Sequence, residues 1–324
     1  MPTLENEIEP SRRRDLLERY APIVYHSSDE NCFPTNVDQH LARTSLRAFD
    51  DSTMPDTHAT LVESPTQTQL VEQTWKAPSW SEPLHSGKTR SDRKGCTFYL
   101  ADVKKEHRVG SLDSRDWITY GHAYKNVRGG VTLQYWRFYA YNDAANNHGG
   151  DWEGLHILLD DKDAPAEVVL LGHKDLQRLP VAMLRPVNGH VVVYSEGGGH
   201  ATRSSPGGIL ARRRGLVCEL DPSDAATFVR HESWTGGKVS WFNGRSGVSG
   251  GILDVGSKLA PANGQHFVRY AGLWGSPGMF YGTSGYWGPA YNETQMAKSR
   301  FVTAWADGML DPAEAECKPE KWCR

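Results

Sequence analysis

No apolar run in the 324-residue chain approaches the roughly 20 residues that a bilayer-spanning helix needs, so no transmembrane segment is expected. Excess charge is missing too. The 36 Lys and Arg against 39 Asp and Glu leave −3 with neutral histidine. Surfaces that grip nucleic-acid phosphates normally carry a basic imbalance, so no nucleic-acid partner is expected. Cysteine is sparse and odd in number: Cys32, Cys96, Cys218, Cys317 and Cys323. The first three are scattered, which implies no disulfide framework. Cys317 and Cys323 lie in a polar tail and would pair only in an oxidising compartment; free thiols are the expectation. Met1 to Arg14 is acidic and then basic, without the apolar centre of a secretory signal. If that is the native start, the expected location is cytoplasmic, with non-classical export as the other route. A phosphate loop ending in Gly-Lys-Ser/Thr is also absent.

What the chain does have is glycine, 32 residues of it, and 10% aromatics, which favour strands and turns over helix bundles. The expected fold is mainly β: an antiparallel β-sandwich with a few peripheral helices and long loops. Residues 1–324 read as one elaborated domain, with an N-terminal arm at 1–10, a peripheral excursion at 50–95 and a polar tail at 306–324. Ser11 to Tyr20 reads as a helix capped by Ser11 and facing inward through Leu16, Leu17 and Tyr20. A second helix is expected from Val37 to Ala48, carrying Leu41 and Leu46. Strands are expected at 23–25, 97–101, 117–124, 131–141 and 167–171, the fourth covered on both faces. Asn188-Gly189, between Val181–Val187 and His190–Ser195, is the residue pair that a tight twist-matched hairpin turn requires.

The richest stretch runs from Gln134 through Asn142-Asp143 to His148-Gly149-Gly150-Asp151-Trp152-Glu153 and on to Asp160. It reads strand, loop, strand, with turn-forming residues between. Positions i and i+2 of a strand share a face, so Asp151 and Glu153 point the same way, and Leu155, Ile157 and Leu159 continue that face into apolar packing. Two carboxylates at the mouth of an apolar face are costly unless paired, protonated or bound to a cation. With Asp143 and His148 they form an oxygen-rich set with one imidazole, suited to a hard divalent ion (Ca, Mg or Mn) rather than zinc in thiolates. A loop-stabilising hydrogen-bond network explains the same residues without an ion. The two readings stand side by side.

Glu196 to Gly208 is a glycine-rich loop with His200, Arg203 and several serines, read either as a ligand-approaching loop or as a flexible surface loop. If the hairpin holds, His200 should lie at the same end of the sandwich as Asp151. Arg212-Arg213-Arg214 reads as a solvated basic turn, with contact to an anionic lipid or phosphate as the alternative. Aromatic and small residues alternate over 265–294. Tyr286 and Trp287 there are candidate ligand-facing residues of a sugar- or headgroup-binding rim, or loop aromatics folded back on the sandwich.

Tyr20-Ala21-Pro22-Ile23-Val24-Tyr25, Gln134 to Asn142, His148 to Glu153, Val193 to Ala201 and the Trp274-to-Pro289 region together resemble the vacuolar protein sorting-associated protein 62 family. More distantly, His148-x-x-Asp151-Trp152-Glu153 is similar to the central motif of necrosis-inducing, Nep-like toxins. That resemblance implies a β-sandwich and a divalent cation used in binding membrane glycolipids. It would make His148, Asp151 and Glu153 ligands, with Asp143 as the upstream carboxylate. Gly149-Gly150 departs from the toxins' basic-polar pair.

Two functional readings follow. In the first the chain binds a carbohydrate or lipid headgroup through a divalent cation, toxin-like or sorting-related, using Arg203, Tyr286 and Trp287 toward the ligand. In the second it is a metal- or carboxylate-assisted enzyme acting on a small molecule or glycan, with Asp151 and Glu153 as acid/base groups and His200 or His148 as a proton shuttle.

Overall fold

The computed structural model describes residues 8–28, 30–49, 59–74, 97–126, 129–144, 147–172, 176–206, 228–241, 243–257, 260–270, 272–277, 285 and 288–289. The chain begins with α1 (Pro10–Arg19), β1 (Ile23–Ser27), β2 (Pro34–Thr35), α2 (Val37–Leu41), β3 (Ser45–Phe49), β4 (Thr60–Glu63) and α3 (Gln67–Thr74). It continues through β5 (Thr97–Leu100), β6 (Ile118–Lys125), β7 (Val131–Asn142), β8 (His148–Leu159), β9 (Pro165–Leu171) and β10 (Leu176–Pro180). Then follow β11 (Val192–Ser195), β12 (Thr202–Arg203), β13 (Phe228–Glu232), β14 (Lys238–Ser240), β15 (Ser246–Val248) and β16 (Gly251–Asp254).

Two large sheets lie face to face. One has the strand order β12-β11-β1-β13-β14-β15; the other runs β10-β9-β8-β7-β6-β16, with β2 added against β7. A small third sheet, β4-β3-β5, joins α2 and α3 on the outer side of the second. The β-sandwich expectation holds. Pairing is mostly antiparallel, with parallel joints at β1–β11 and β16–β6.

β7 and β8 are the spine, each twelve residues long and buried throughout. Strand alternation separates their side chains into two layers. Leu133, Tyr135, Leu155 and Ile157 face Val24 of β1 and Val193 of β11, with Leu16 and Leu17 of α1 sealing the edge. On the opposite face Trp136, Phe138 and Trp152 pack with Leu41, Leu46, Leu70, Phe267 and Trp274.

Several local expectations are corrected. α1 starts one residue earlier, because Pro10 takes the first helical position and Glu9 accepts from Arg12 N–H at 2.9 Å; the Ser11 hydroxyl bonds to Glu9 instead of capping. The second helix stops at Leu41. The chain then turns into β3, which carries Leu46 into the core. Within the 50–95 excursion, β4 pairs with β3 and Leu70 of α3 is fully buried. The long hairpin at Asn188-Gly189 shrinks to one bridge, Val187 with His190. Its two turn residues do hold positive φ (53° and 86°). However, Pro186 cannot donate to a ladder and residues Val181–Leu184 coil into a 3-10 turn. β11 pairs with β1 instead.

Candidate functional site

The loop end of the sandwich assembles from four segments: the turn after β1, the ends of β7 and β8, and the loop between β11 and β12. Tyr139 faces Asp151 and Arg137 faces Glu153 across the β7–β8 ladder, so all four enter the same interlayer space as Leu155 and Ile157. The expected shared face of Asp151 and Glu153 is therefore where the pleat puts it.

His200 is the hub. Its Nδ1 lies 2.8 Å from Asp151 Oδ2 and its Nε2 lies 3.5 Å from Glu30 Oε1. Its ring stacks on Tyr139 with centroids 3.8 Å apart and planes within 6°. It is fully buried and holds φ at +56°, a left-handed conformation that is strained for a side-chain-bearing residue and survives only where partners fix it. Burial alone would favour the neutral ring. The Glu30 charge, the hydrogen bond to Asp151 and the nearby Cys32 outweigh it, and the His200 pKa is raised well above the ordinary histidine value. Glu30 is the mirror case. Burial would raise it, but His200 and backbone N–H groups of Cys32 and Gly198 bring it below the usual carboxylate value. The Cys32 thiol beside them is pushed up by burial, so it is no activated nucleophile.

Asp151 also accepts from Asn142 Nδ2 at 3.1 Å. Glu153 is driven well above the usual carboxylate range, first by burial and then by the neighbouring Asp151 charge, with His200, Arg137 and Arg203 opposing. His148 is buried, its Nδ1 3.2 Å from Gly149 O, and burial lowers its pKa. Asp143 is exposed; its carboxylate takes Asn31 Nδ2 at 2.5 Å and its N–H donates to Gly198 O at 2.8 Å. Arg203 grips Glu196 through Nε (2.9 Å) and Nη2 (2.6 Å). Tyr286, Trp287 and Arg212 to Arg214 lie outside the described residues.

The structure thus brings together Asp151, Glu153 and His200. The four expected metal ligands are not gathered in the same way. Among the described residues no three His, Cys, Asp or Glu side chains are grouped to hold a metal ion. The donor chemistry agrees: Asp143 is taken by Asn31, and His200 sits between Glu30 and Asp151 where a shared cation would lie. Asp151 and Glu30 find their compensation in His200, an amide and backbone N–H groups.

Gly149 and Gly150 have a packing reason. A Cβ on Gly149 would lie 2.2 Å from Asp102 Oδ1; one on Gly150, whose φ is +59°, would lie 2.0 Å from Trp274 O. The 272–277 segment presses on the start of β8, and Ser276 N–H donates to Asp102 at 2.8 Å. Sequence reasoning missed Glu30, Cys32, Tyr139 and Arg137. Glu30 looked like one more turn residue, and Arg137 sat unremarked in an aromatic strand.

No family model matches the chain, and no curated protein does. The resemblance to the vacuolar sorting family therefore finds no support. One solved structure is similar: the crystal structure of Necrosis and Ethylene inducing Protein 2 from the causal agent of cocoa's Witches Broom disease. The likeness covers 63% of this chain and 71% of that one, at 14% identity and a TM-score of 0.33. At that distance no residue role is taken from it. No helix among the described residues is long and apolar enough to cross a membrane.

Proposed function

We propose that the loop end of the sandwich binds a polar, hydroxyl-rich ligand, a carbohydrate or lipid headgroup. The supporting observation is the exposed Asn31–Asp143 pair, joined at 2.5 Å directly beside the buried Glu30–His200–Asp151 network. Asn147 and Asp102 are exposed on neighbouring segments. Fixed amides and carboxylates of this kind recognise hydroxyl groups, and the network beneath keeps them from relaxing. Dependence on calcium, magnesium or manganese is a separable part of the proposal. An ion would have to displace the His200 proton or enter beside Asp143. Glycan-array and liposome-cosedimentation measurements test both parts, with each ion and with EDTA. Asp143→Asn should lose binding while keeping the wild-type circular dichroism. Failure of the wild-type chain on every glycan and headgroup sinks the reading; binding that ignores EDTA removes the ion alone.

One feature favours the enzymatic reading: burial and the Asp151 charge both raise the affinity of Glu153 for a proton, the direction a general acid needs. Hydrolysis of a bound glycan that disappears in Glu153→Gln with binding retained would establish it.

A further inference from the structure

Deeper between the sheets, past Tyr139, lies a second polar patch that shares only Arg137 with the loop-end site. His26 of β1 is fully buried and neither of its ring nitrogens has a hydrogen-bond partner. His231 of β13 stacks on it with centroids 5.8 Å apart and planes 25° from parallel. Its Nε2 meets Ser249 Oγ at 2.9 Å, but its Nδ1 has no partner. Across the interlayer space, Arg137 spends Nε on Tyr139 OH (3.2 Å) and Nη2 on Thr202 Oγ1 (2.9 Å), leaving Nη1 without a partner. Thr119 of β6, directly opposite Arg137 in the ladder and so on the same face, has an unpartnered hydroxyl. All four residues are buried to the last per cent.

Orphaned buried polar atoms are rare, because each forfeits its solvation without replacement. Five of them, on four strands of two facing sheets, are not scattered defects. Arg137 Nη1 is a charged group with only N–H donors, and the threonine hydroxyl and each neutral imidazole, though they carry acceptor lone pairs as well, can each turn one donor toward the same guest. Burial holds both histidines neutral, His231 down to about 3, with Arg137 adding to the effect on each. Trp117 walls one side, edge-on to both rings at 5.3 and 5.5 Å. A second cation beside Arg137 is disfavoured; a compact acceptor of hydrogen bonds is what this geometry lacks.

We propose that the space bounded by His26, His231, Thr119 and Arg137 is a buried binding site for a small anion, of the halide or simple carboxylate class. The inference is independent of the headgroup reading. The rival occupant is ordered water, which would satisfy the same donors.

Crystals of the full chain grown in sodium bromide separate the two. A bromine anomalous peak among the four side chains is the expected result; water-like density without anomalous signal, or no density, overturns the proposal. In solution at constant ionic strength, thermal unfolding of the wild type should rise with bromide or formate concentration, since a ligand of the folded state alone stabilises it by mass action. Thr119→Val keeps shape and removes one donor, and should weaken the apparent anion affinity several-fold. Arg137→Gln should weaken it by about tenfold or more, the scale of a charged hydrogen bond. If Arg137→Gln fails to fold, Thr119→Val and His26→Leu carry the test. An unchanged anion response in both, or a His26→Leu chain more stable than wild type at every anion concentration, overturns the site.

Discussion

β7 and β8 present one continuous inward face whose two ends are equally buried and chemically opposite. At one end Leu133, Tyr135, Leu155 and Ile157 meet Val24 and Val193. At the other Arg137, Tyr139, Asp151 and Glu153 meet His26, Ser195 and His200, with Tyr139 OH 3.3 Å from Ser195 Oγ. The apolar end needs nothing beyond shape to be stable. The polar end buries groups that cost several kcal/mol each unless compensated, and a hydrophobic replacement of similar volume is often as stable. Stability alone does not account for the second end, and that is the ground for placing function there.

The contrast is sharpest in deletion. Removing His200 leaves the Glu30 and Asp151 carboxylates facing each other without their shared imidazolium. His200→Ala should therefore cost about 3–5 kcal/mol in urea unfolding, the scale of a broken buried pair. Although His200 sits in a glycine-rich loop, full burial and two carboxylate partners give it this weight. Leu155→Ala at the apolar end should cost about 2–5 kcal/mol through its cavity. The two differ in rescue. His200→Gln, which can still hydrogen-bond, should recover part of the loss, whereas no polar residue rescues Leu155. Equal losses for His200→Ala and His200→Gln would mean that His200 acts by packing alone.

The pH profile separates the ends again, because only the polar end titrates. His200 has a folded pKa above the unfolded 6.5, so its stabilisation is complete below 6.5 and drains away as pH rises through the folded value. Glu153, raised from 4.5, loses its own contribution from pH 4.5 upward, through its folded value. The acid limb has the reverse cause. His26, His148 and His231 are held neutral by burial, as are His40, His122 and His156 on the outer layer and edge, the last three and His231 at about 3. Below 6.5 the unfolded chain takes up protons that the folded chain refuses, and stability falls. Unfolding free energy should thus peak near the ordinary histidine pKa. His200→Gln should flatten the alkaline limb down to the Glu153 contribution and leave the acid limb in place. A flat profile between pH 5 and 9 in the wild type would refute the charged state of His200.

Much of this arrangement was legible and some was not, for physical reasons. Strand alternation is local, so the common face of Asp151, Glu153, Leu155 and Ile157 followed from spacing alone. The partners did not. Glu30 reaches His200 across 170 positions, and no local period encodes that approach. The helix expected over Val37 to Ala48 failed because pairing of β3 with β4 and β5 overrides the propensity of Leu46 and its neighbours. The motif alone does not separate the two readings of the acidic set, because a carboxylate-rich stretch looks the same whether its compensation comes from an ion or from a distant imidazole.

Gly150 tests the backbone side of the comparison. Gly150→Ala forces a Cβ toward Trp274 O at a φ of +59°, so the start of β8 must shift away from the 272–277 segment. The loss should exceed about 1 kcal/mol. It should also loosen Asp151 and His148, seen as faster amide exchange at residues 148–153 with the Leu155–Leu159 half of β8 still protected. Uniform loosening along β8 would mean that the two ends are one cooperative unit.

The smallest expected effect is the most informative about function. Asp143 stands at the surface of the polar end, bonded to Asn31 but outside the buried network. Asp143→Asn keeps the side chain's volume and removes its charge. An exposed substitution of this kind should change stability by no more than about 0.5 kcal/mol. Its N–H bond to Gly198 O, which ties the β7–β8 loop to the glycine loop, is a backbone contact and survives the change. Asp151→Asn, by contrast, disturbs the His200 pair and should lower stability and binding together. If the loop end recognises a headgroup, Asp143→Asn should therefore lose affinity for it at nearly wild-type stability. Isothermal titration with the best glycan or headgroup hit, set against the urea midpoint, reads both quantities. Unchanged affinity in Asp143→Asn would move recognition away from the Asn31–Asp143 rim, while loss of affinity only in Asp151→Asn would move it inward to the buried carboxylates.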